Sequence, residues 1–409
     1  MASFNLAKPA SVDSVVDMDM ELPAPVLIAG AGIGGLVMAL ALKKHCGLRG
    51  EDIEVYESAR AFRNDAGGAM GLYANGLRVL RDISPDLLKA VRESGYDYVY
   101  RRWQRHDGTE VACAREAELT DEAELQSLGI RRWKFQKALC DAAEAAGITV
   151  TFAKRTELVE PRANGVCNVR FADGTSRSAR LVIGADGVKS KVREAVVGPM
   201  AAEFTGVTCL MGAAKVPRPH RGICFPSSRT TKCHGCFYPT GDNEQIFQLY
   251  FPAATMEEAW GTLSADEGTK ECAELAKRLQ ADGWDEAYTT PLRNAEAVIR
   301  TAICAREPLH TWAAASGRIV LLGDAAHPPV PYIGQGAQMA MEDVGVLAHM
   351  LRHHCCAGGT KAFSPTDANL TAATDAYQVR HLAATPSDPS PRAPHTPLAH
   401  PPCSSLAPS

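Results

Sequence analysis

Gly30-Ala31-Gly32-Ile33-Gly34-Gly35 stands between a short apolar run, Val26–Ala29, and a stretch with helical spacing, Ile33–Lys44. A strand, a glycine turn and a helix in this order can cradle a pyrophosphate. Gly30 permits the tight turn, Gly32 lets a phosphate approach the backbone, and Gly35 lets helix and strand pack closely. The helix start adds free N–H groups and a partial positive charge. A second apolar run, Ile53–Tyr56, ends at Glu57, 22 residues after Gly35. That is the place for a carboxylate that binds ribose hydroxyls. An acid there disfavours a 2′-phosphate, so the loop is expected to hold NAD or FAD and not NADP.

Two later segments repeat the theme of an apolar strand ending in glycine and acid. Leu181-Val182-Ile183-Gly184-Ala185-Asp186-Gly187 is followed by Lys189, Lys191 and Arg193. Ile319-Val320-Leu321-Leu322-Gly323-Asp324-Ala325-Ala326-His327-Pro328 is followed by Pro331, Gly334-Gln335-Gly336-Ala337 and Glu342-Asp343. A carboxylate at a strand end suits a ribose or ribityl hydroxyl. A glycine-rich helix start suits the edge of a reduced flavin, where negative charge develops.

The three segments, in this order, resemble the single-component FAD-dependent aromatic hydroxylases, the group A flavoprotein monooxygenases. The likeness is to their salicylate-hydroxylase-like branch of fungal secondary metabolism and covers about residues 26–350. The resemblance implies a p-hydroxybenzoate-hydroxylase-like α/β fold, with a Rossmann-like FAD-binding domain and an inserted, mostly antiparallel substrate domain. It implies tightly bound, non-covalent FAD, NADPH or NADH as co-substrate, and O2. A flavin C4a-hydroperoxide would hydroxylate or epoxidise a small apolar, aromatic or polyketide-like molecule, with no metal required.

The same resemblance assigns residues. Gly71, within Gly67-Gly68-Ala69-Met70-Gly71-Leu72-Tyr73-Ala74-Asn75, would pass close to the cofactor, and Arg132, after Arg131, would contact it. Asp186, Asp324, Gly336 and Ala337 complete the cofactor set begun by Gly30, Gly32, Gly35 and Glu57. Tyr238, after the short strand Gly235-Cys236-Phe237, stands where relatives place an active-site tyrosine that holds or deprotonates a phenol. Lys215 takes the strand position where some relatives carry a substrate-orienting arginine, and a lysine cannot form a bidentate clamp. His327 is read as fixing the turn before Pro328, and Cys233-His234-Gly235-Cys236 as packing thiols without a second ligand pair.

The rest of the chain must position these residues. Its 409 residues predict two to three structural units, and 46% apolar residues supply a sizeable core. A formal net charge of −4 argues against nucleic acid and against a polybasic membrane grip. Thirteen cysteines with no secretory signal ahead of them read as reduced thiols in a cytoplasmic protein. The apolar window Val26–Leu42 reads as a buried strand and helix, not a membrane span.

The expected organisation is a flexible leader over 1–24, a first FAD-binding segment over 25–199, a substrate-binding β-sheet over 200–300 and a second FAD-binding segment over 301–384. A disordered proline-rich tail follows over 385–409, with eight prolines in its last 24 positions. Further helices are expected from Arg132 to Ala146, capped at Gly147, and from Gln335 to Leu351. A hairpin is expected around Asp173-Gly174. In relatives, helices with an aromatic and paired arginines close the chain. Ala376-Tyr377-Gln378-Val379-Arg380 begins that pattern before Thr385-Pro386 opens the tail. Two alternatives stand beside a monooxygenase: a flavin oxidase or dehydrogenase, and an FAD-binding protein impaired by its atypical C-terminus.

Overall fold

A computed structural model describes residues 22–62, 68–217, 220–256, 261–356 and 363–382. The leader up to residue 21, Gly67, and the tail from 385 lie outside the described residues.

The first sheet is built on strand Ala24–Ala29, whose residues Val26 to Ala29 are fully buried. That explains why its sequence is an unbroken apolar run: a parallel strand covered on both faces has no solvent side. It pairs in parallel with Ile53–Tyr56 on one flank and Ser176–Gly184 on the other. Thr149–Thr151 and Ile319–Leu321 extend the parallel core outward. The hairpin expected at Asp173-Gly174 forms, with Val166–Phe171 antiparallel to Ser176–Gly184. Helix Ile33–Cys46 crosses over from the first strand, and helices Arg132–Ala145 and Gly336–Cys355 pack against it. Helix Asp367–Leu382 packs in turn on Gly336–Cys355.

The second sheet has eight strands, in the order Gly261–Thr262, Ala295–Ala305, Glu203–Lys215, Glu244–Pro252, His234–Gly241, Ile223–Ser227, Tyr100–Arg105 and Glu110–Arg115. Its centre is antiparallel and falls in the expected 200–300 stretch. The last two strands come from residues 100–115, inside the segment expected to belong wholly to the FAD-binding unit. They attach through a parallel pairing of Tyr100–Arg105 with Ile223–Ser227. A parallel pairing over that sequence distance leaves no local turn signal to read.

Helices Ala265–Ala281 and Glu286–Arg293 cover one face of this sheet and close a second core around Leu210, Phe237, Phe247, Leu249 and Tyr288. A three-stranded sheet of Ala69–Leu72, Leu128–Arg131 and Tyr96–Asp97 lies between the two units and carries Gly71 and Arg131.

Candidate functional site

The strand Ala24–Ala29 delivers Gly30 in a positive-φ conformation of 101°, with its N–H donating to the Tyr56 carbonyl at 2.7 Å. A methyl group on Gly30 would stand 2.5 Å from the Ala185 carbonyl oxygen, and one on Gly35 would stand 1.9 Å from the Gly30 oxygen. Both glycines are therefore demanded by backbone packing. Gly32 differs: a methyl group there would meet no protein atom within 4 Å. It caps helix Ile33–Cys46 without a side-chain bond and with no acid in the first turn, leaving N–H groups for an anion.

Glu57 is anchored at this loop. Its Oε2 accepts from the Ala31 N–H at 2.9 Å, and its Oε1 accepts from Ala59 N–H at 2.8 Å and Ser58 Oγ at 3.0 Å. Gln136, which the sequence did not single out, donates to the Ala31 carbonyl at 3.0 Å and ties helix Arg132–Ala145 to the loop.

Asp186 lies ahead of the short helix Lys191–Val197, whose N-cap is Ser190. Its carboxylate accepts from the Lys191 and Val192 N–H groups at 2.7 and 3.2 Å and from the Ser190 hydroxyl. Burial pushes the Asp186 carboxyl above the usual carboxylate range, and these hydrogen bonds oppose that. Gly30, Gly32, Glu57, Arg132, Asp186 and Arg193 line one cavity of about 650 Å³. Asp324 is not among its lining residues. Arg132, which is exposed at the first turn of its helix, acts on the Asp324 carboxyl through its charge and so connects the two places.

Asp324 itself lies in a tight turn, Gly323–Ala325, at the end of strand Ile319–Leu321. Its side chain is accessible, yet enough protein surrounds it to raise its pKa, while Arg132 and His327 pull it down. The turn is held from beneath by Asp343, a buried carboxylate that no sequence pattern assigned a role. It accepts from the Gly323 N–H at 2.7 Å and pairs with His327 Nε2 at 2.6 Å. The His327 ring stacks on Trp312 at 4.7 Å. Arg193, 3% exposed, donates to the carbonyls of Ala325, Ala326 and Glu307, joining the Asp186 helix to the Asp324 turn.

The His327–Asp343 pair gives a pH prediction. Burial disfavours the imidazolium, but the Asp343 hydrogen bond and charge outweigh it, so the folded-state pKa is raised. The pair's contribution is then complete below the ordinary histidine value and fades as pH rises through the raised one. We expect the gap in unfolding midpoint between wild type and His327→Gln to be wider at about pH 6 than at about pH 9. A gap constant across that range would show that the pair does not titrate with folding.

Gly71 lies in strand Ala69–Leu72, where a methyl group would stand 3.0 Å from the Tyr73 hydroxyl. Its carbonyl accepts from Gln338 Nε2 at 2.8 Å, and Gln338 also reaches the Gly334 carbonyl at 3.3 Å. Gln338 was missed; with Asp343 it is one of two polar side chains buried in helix Gly336–Cys355, and polar residues at core-facing helix positions are the signal that could have found it. Gly336 and Ala337 form the first turn of helix Gly336–Cys355, whose cap Gln335 offers no side-chain bond and whose first turn holds no acid. A methyl group on Gly336 would stand 3.9 Å from Asp324 Oδ1, which brings the second uncapped helix start beside that carboxylate.

In the second sheet, Tyr238 is 1% exposed and accepts from Gln248 Nε2 at 2.8 Å. Burial pushes its hydroxyl well above the usual tyrosine range, which disfavours the deprotonated form a base would need. Lys215 requires a correction. It ends strand Glu203–Lys215 with its side chain 75% exposed and its amine 3.0 Å from Glu296. A surface ion pair leaves no geometry for substrate orientation. Cys233 belongs to the core under the sheet, and among the described residues no three His, Cys, Asp or Glu side chains converge on a metal position.

The FAD binding domain family model matches residues 23–361. The chain is 29% identical over 353 residues to 6-hydroxynicotinate 3-monooxygenase of Pseudomonas fluorescens, covering 84% of this chain and 86% of the relative. It is 32% identical over 352 residues to 3-amino-4-hydroxybenzoate 2-monooxygenase of Streptomyces cremeus, covering 82% and 80%. The crystal structure of Klebsiella pneumoniae HpxO complexed with FAD and uric acid superposes with a TM-score of 0.71 at 24% identity, covering 86% of this chain and 82% of that one, a likeness of fold. With two glycine-started helices left uncapped beside carboxylates, and a family match over most of its length, this chain belongs to the FAD binding domain family and is an FAD-dependent monooxygenase.

Proposed function

We propose that the chain uses NADPH or NADH and O2 to hydroxylate or epoxidise a small aromatic or polyketide-like molecule, with the residues above in defined roles. The observation that carries this is the arrangement of two helix N-termini without side-chain caps, Ile33–Cys46 and Gly336–Cys355, each beside a carboxylate, Glu57 and Asp324. The residues present fit FAD. The open space over Gly32 admits the pyrophosphate, and Glu57 takes the adenosine ribose. Arg132 and Asp186 hold the middle of the cofactor, and Asp324 takes the ribityl chain. Gly336 and Ala337 present free N–H groups to the flavin ring edge that gains negative charge on reduction.

FAD, when bound and reduced by the nicotinamide co-substrate, supplies the oxygen activation. The protein's part is to fix the reactants and keep water out. Asp343 and Arg193 both hydrogen-bond the backbone of the Asp324 turn, and Gln338 holds Gly71 against the loop at Gly334. Tyr238 faces the substrate as a neutral hydroxyl. A place in the salicylate-hydroxylase-like branch of fungal secondary metabolism rests on sequence motifs alone; the two relatives named above are bacterial. Cytoplasmic residence rests on the reduced-thiol reading, and no helix among the described residues is long and apolar enough to cross a membrane.

The test is turnover under 18O2. The holoenzyme should consume NADPH or NADH faster with substrate and place one labelled oxygen atom in the product. A product free of label would replace this reading with an oxidase or dehydrogenase. A protein that purifies without FAD would undo the cofactor site itself.

A further inference from the structure

One face of the second sheet is filled by its own helices. The other looks toward the loop between Asp324 and Gly336. Val330 from that loop packs near Cys209, Tyr250 and Ile303, and Tyr332 meets the rings of His234 and Tyr250 at 5.1 and 5.3 Å. Strand alternation places His234, Cys236 and Tyr238 on this face, directly opposite Tyr250, Gln248 and Ile246 of the next strand. Cys209, Met211 and Ala213 continue the same three rows.

Gln248 is at the centre. Its Nε2 donates to the Tyr238 hydroxyl at 2.8 Å, and its Oε1 accepts from the Tyr250 hydroxyl at 3.2 Å. The amide keeps one N–H and one lone pair for a further partner. Tyr238, receiving a hydrogen bond, keeps its own O–H to donate. Tyr98, in the same buried cluster with its ring 6.3 Å from that of Tyr238, has a buried hydroxyl with no hydrogen-bond partner among the described residues. Polar groups enclosed this deeply are normally satisfied, so the set is arranged for something that enters.

Among the described residues the face also carries no unanswered charge. Burial raises the pKa of Tyr238, Tyr250 and Cys236 and lowers that of His234, so all four are neutral near pH 7. The cations around it each face an acid: Arg101 lies 2.7 Å from Glu116, and Arg131 lies 3.9 Å from Glu244. A carboxylate brought here would lose its hydration and find, among the described residues, no free cation in exchange.

Resting on the monooxygenase reading above, we propose that this face selects an uncharged hydroxylated or lactam-bearing aromatic ring, its polar edge paired with the Gln248 amide and the Tyr238 hydroxyl, and rejects carboxylated rings. The two relatives named above act, by their names, on a nicotinate and a benzoate, so the selection would set this chain apart from them.

The experiment uses FAD-loaded enzyme and two matched probe pairs: 2-naphthol with 3-hydroxy-2-naphthoate, and 2-quinolone, a lactam, with its 4-carboxylate. Binding is read from the change in the flavin spectrum. Each neutral probe should bind at least about tenfold more tightly than its carboxylated partner. Gln248→Leu and Tyr238→Phe should each weaken the neutral probes by about tenfold, with flavin occupancy reporting that the variant has folded. If a variant fails to fold, the neutral-against-carboxylate comparison on the wild type decides alone. Equal or tighter binding of the carboxylates, unchanged affinity in a folded Gln248→Leu protein, or no binding by any probe would each overturn the proposal. All three outcomes leave FAD in place, so they are distinct from a failure of the flavin site.

Discussion

Gly35→Ala should purify colourless. The added methyl would lie 1.9 Å from the Gly30 carbonyl oxygen, which is backbone and cannot rotate away, so strand and helix must separate. Overpacking of this kind costs on the order of 3 kcal/mol and displaces the N–H groups that would hold the pyrophosphate. The flavin-to-protein absorbance ratio should drop below about a tenth of wild type, and the apoprotein should unfold at a lower temperature. Gly32→Ala is the informative partner. Its methyl meets no protein atom within 4 Å and would project into open space over the helix start. The apoprotein should keep its stability while flavin binding falls. If Gly32→Ala binds FAD normally, the pyrophosphate does not lie over this turn.

Asp324→Ala should weaken FAD binding by roughly ten- to a hundredfold, the worth of a charge-assisted hydrogen bond to a hydroxyl. The apoprotein should not suffer. Its surroundings raise the Asp324 pKa, so the folded state binds the proton more tightly than the unfolded chain does. At neutral pH the ionised carboxylate therefore opposes folding, and removing it should leave the unfolding midpoint unchanged or slightly higher. A binding loss without a stability loss is the mark of a group held for a ligand. Full flavin occupancy in Asp324→Ala, or a collapse of the apoprotein, would both contradict that role. Asp343 offers the contrast: it is buried, holds the Gly323 N–H and His327, and serves the turn from within the core.

The legible parts of this protein were those written in adjacent residues. The glycine loop at 30–35, Glu57, the hairpin around Asp173-Gly174 and the Gly-Asp strand end are all local patterns. Each is set by φ angles, side-chain alternation or helix capping within a few residues, and each formed where the pattern indicated. Gly35 could be read as a packing glycine because the strand and helix it joins are neighbours in the chain.

What could not be read depends on partners far apart in sequence. Residues 100–105 join the second sheet because Ile223–Ser227 lies open beside them, not because of any feature of their own. Gln136, Arg193, Gln338 and Asp343 owe their importance to backbone groups they meet across the fold, at Ala31, Ala325, Gly71 and Gly323. Lys215 ends its strand at the surface, where Glu296 and solvent take up its charge. The amino-acid order thus marked a dinucleotide site, because a phosphate-binding turn is a short-range object, while FAD over NAD came from the resemblance carried by all three segments together. The polar set proposed to meet the substrate was completed only by folding: Tyr238, Gln248 and Tyr250 share one hairpin, but Tyr98 and Tyr332 reach its face from distant parts of the chain.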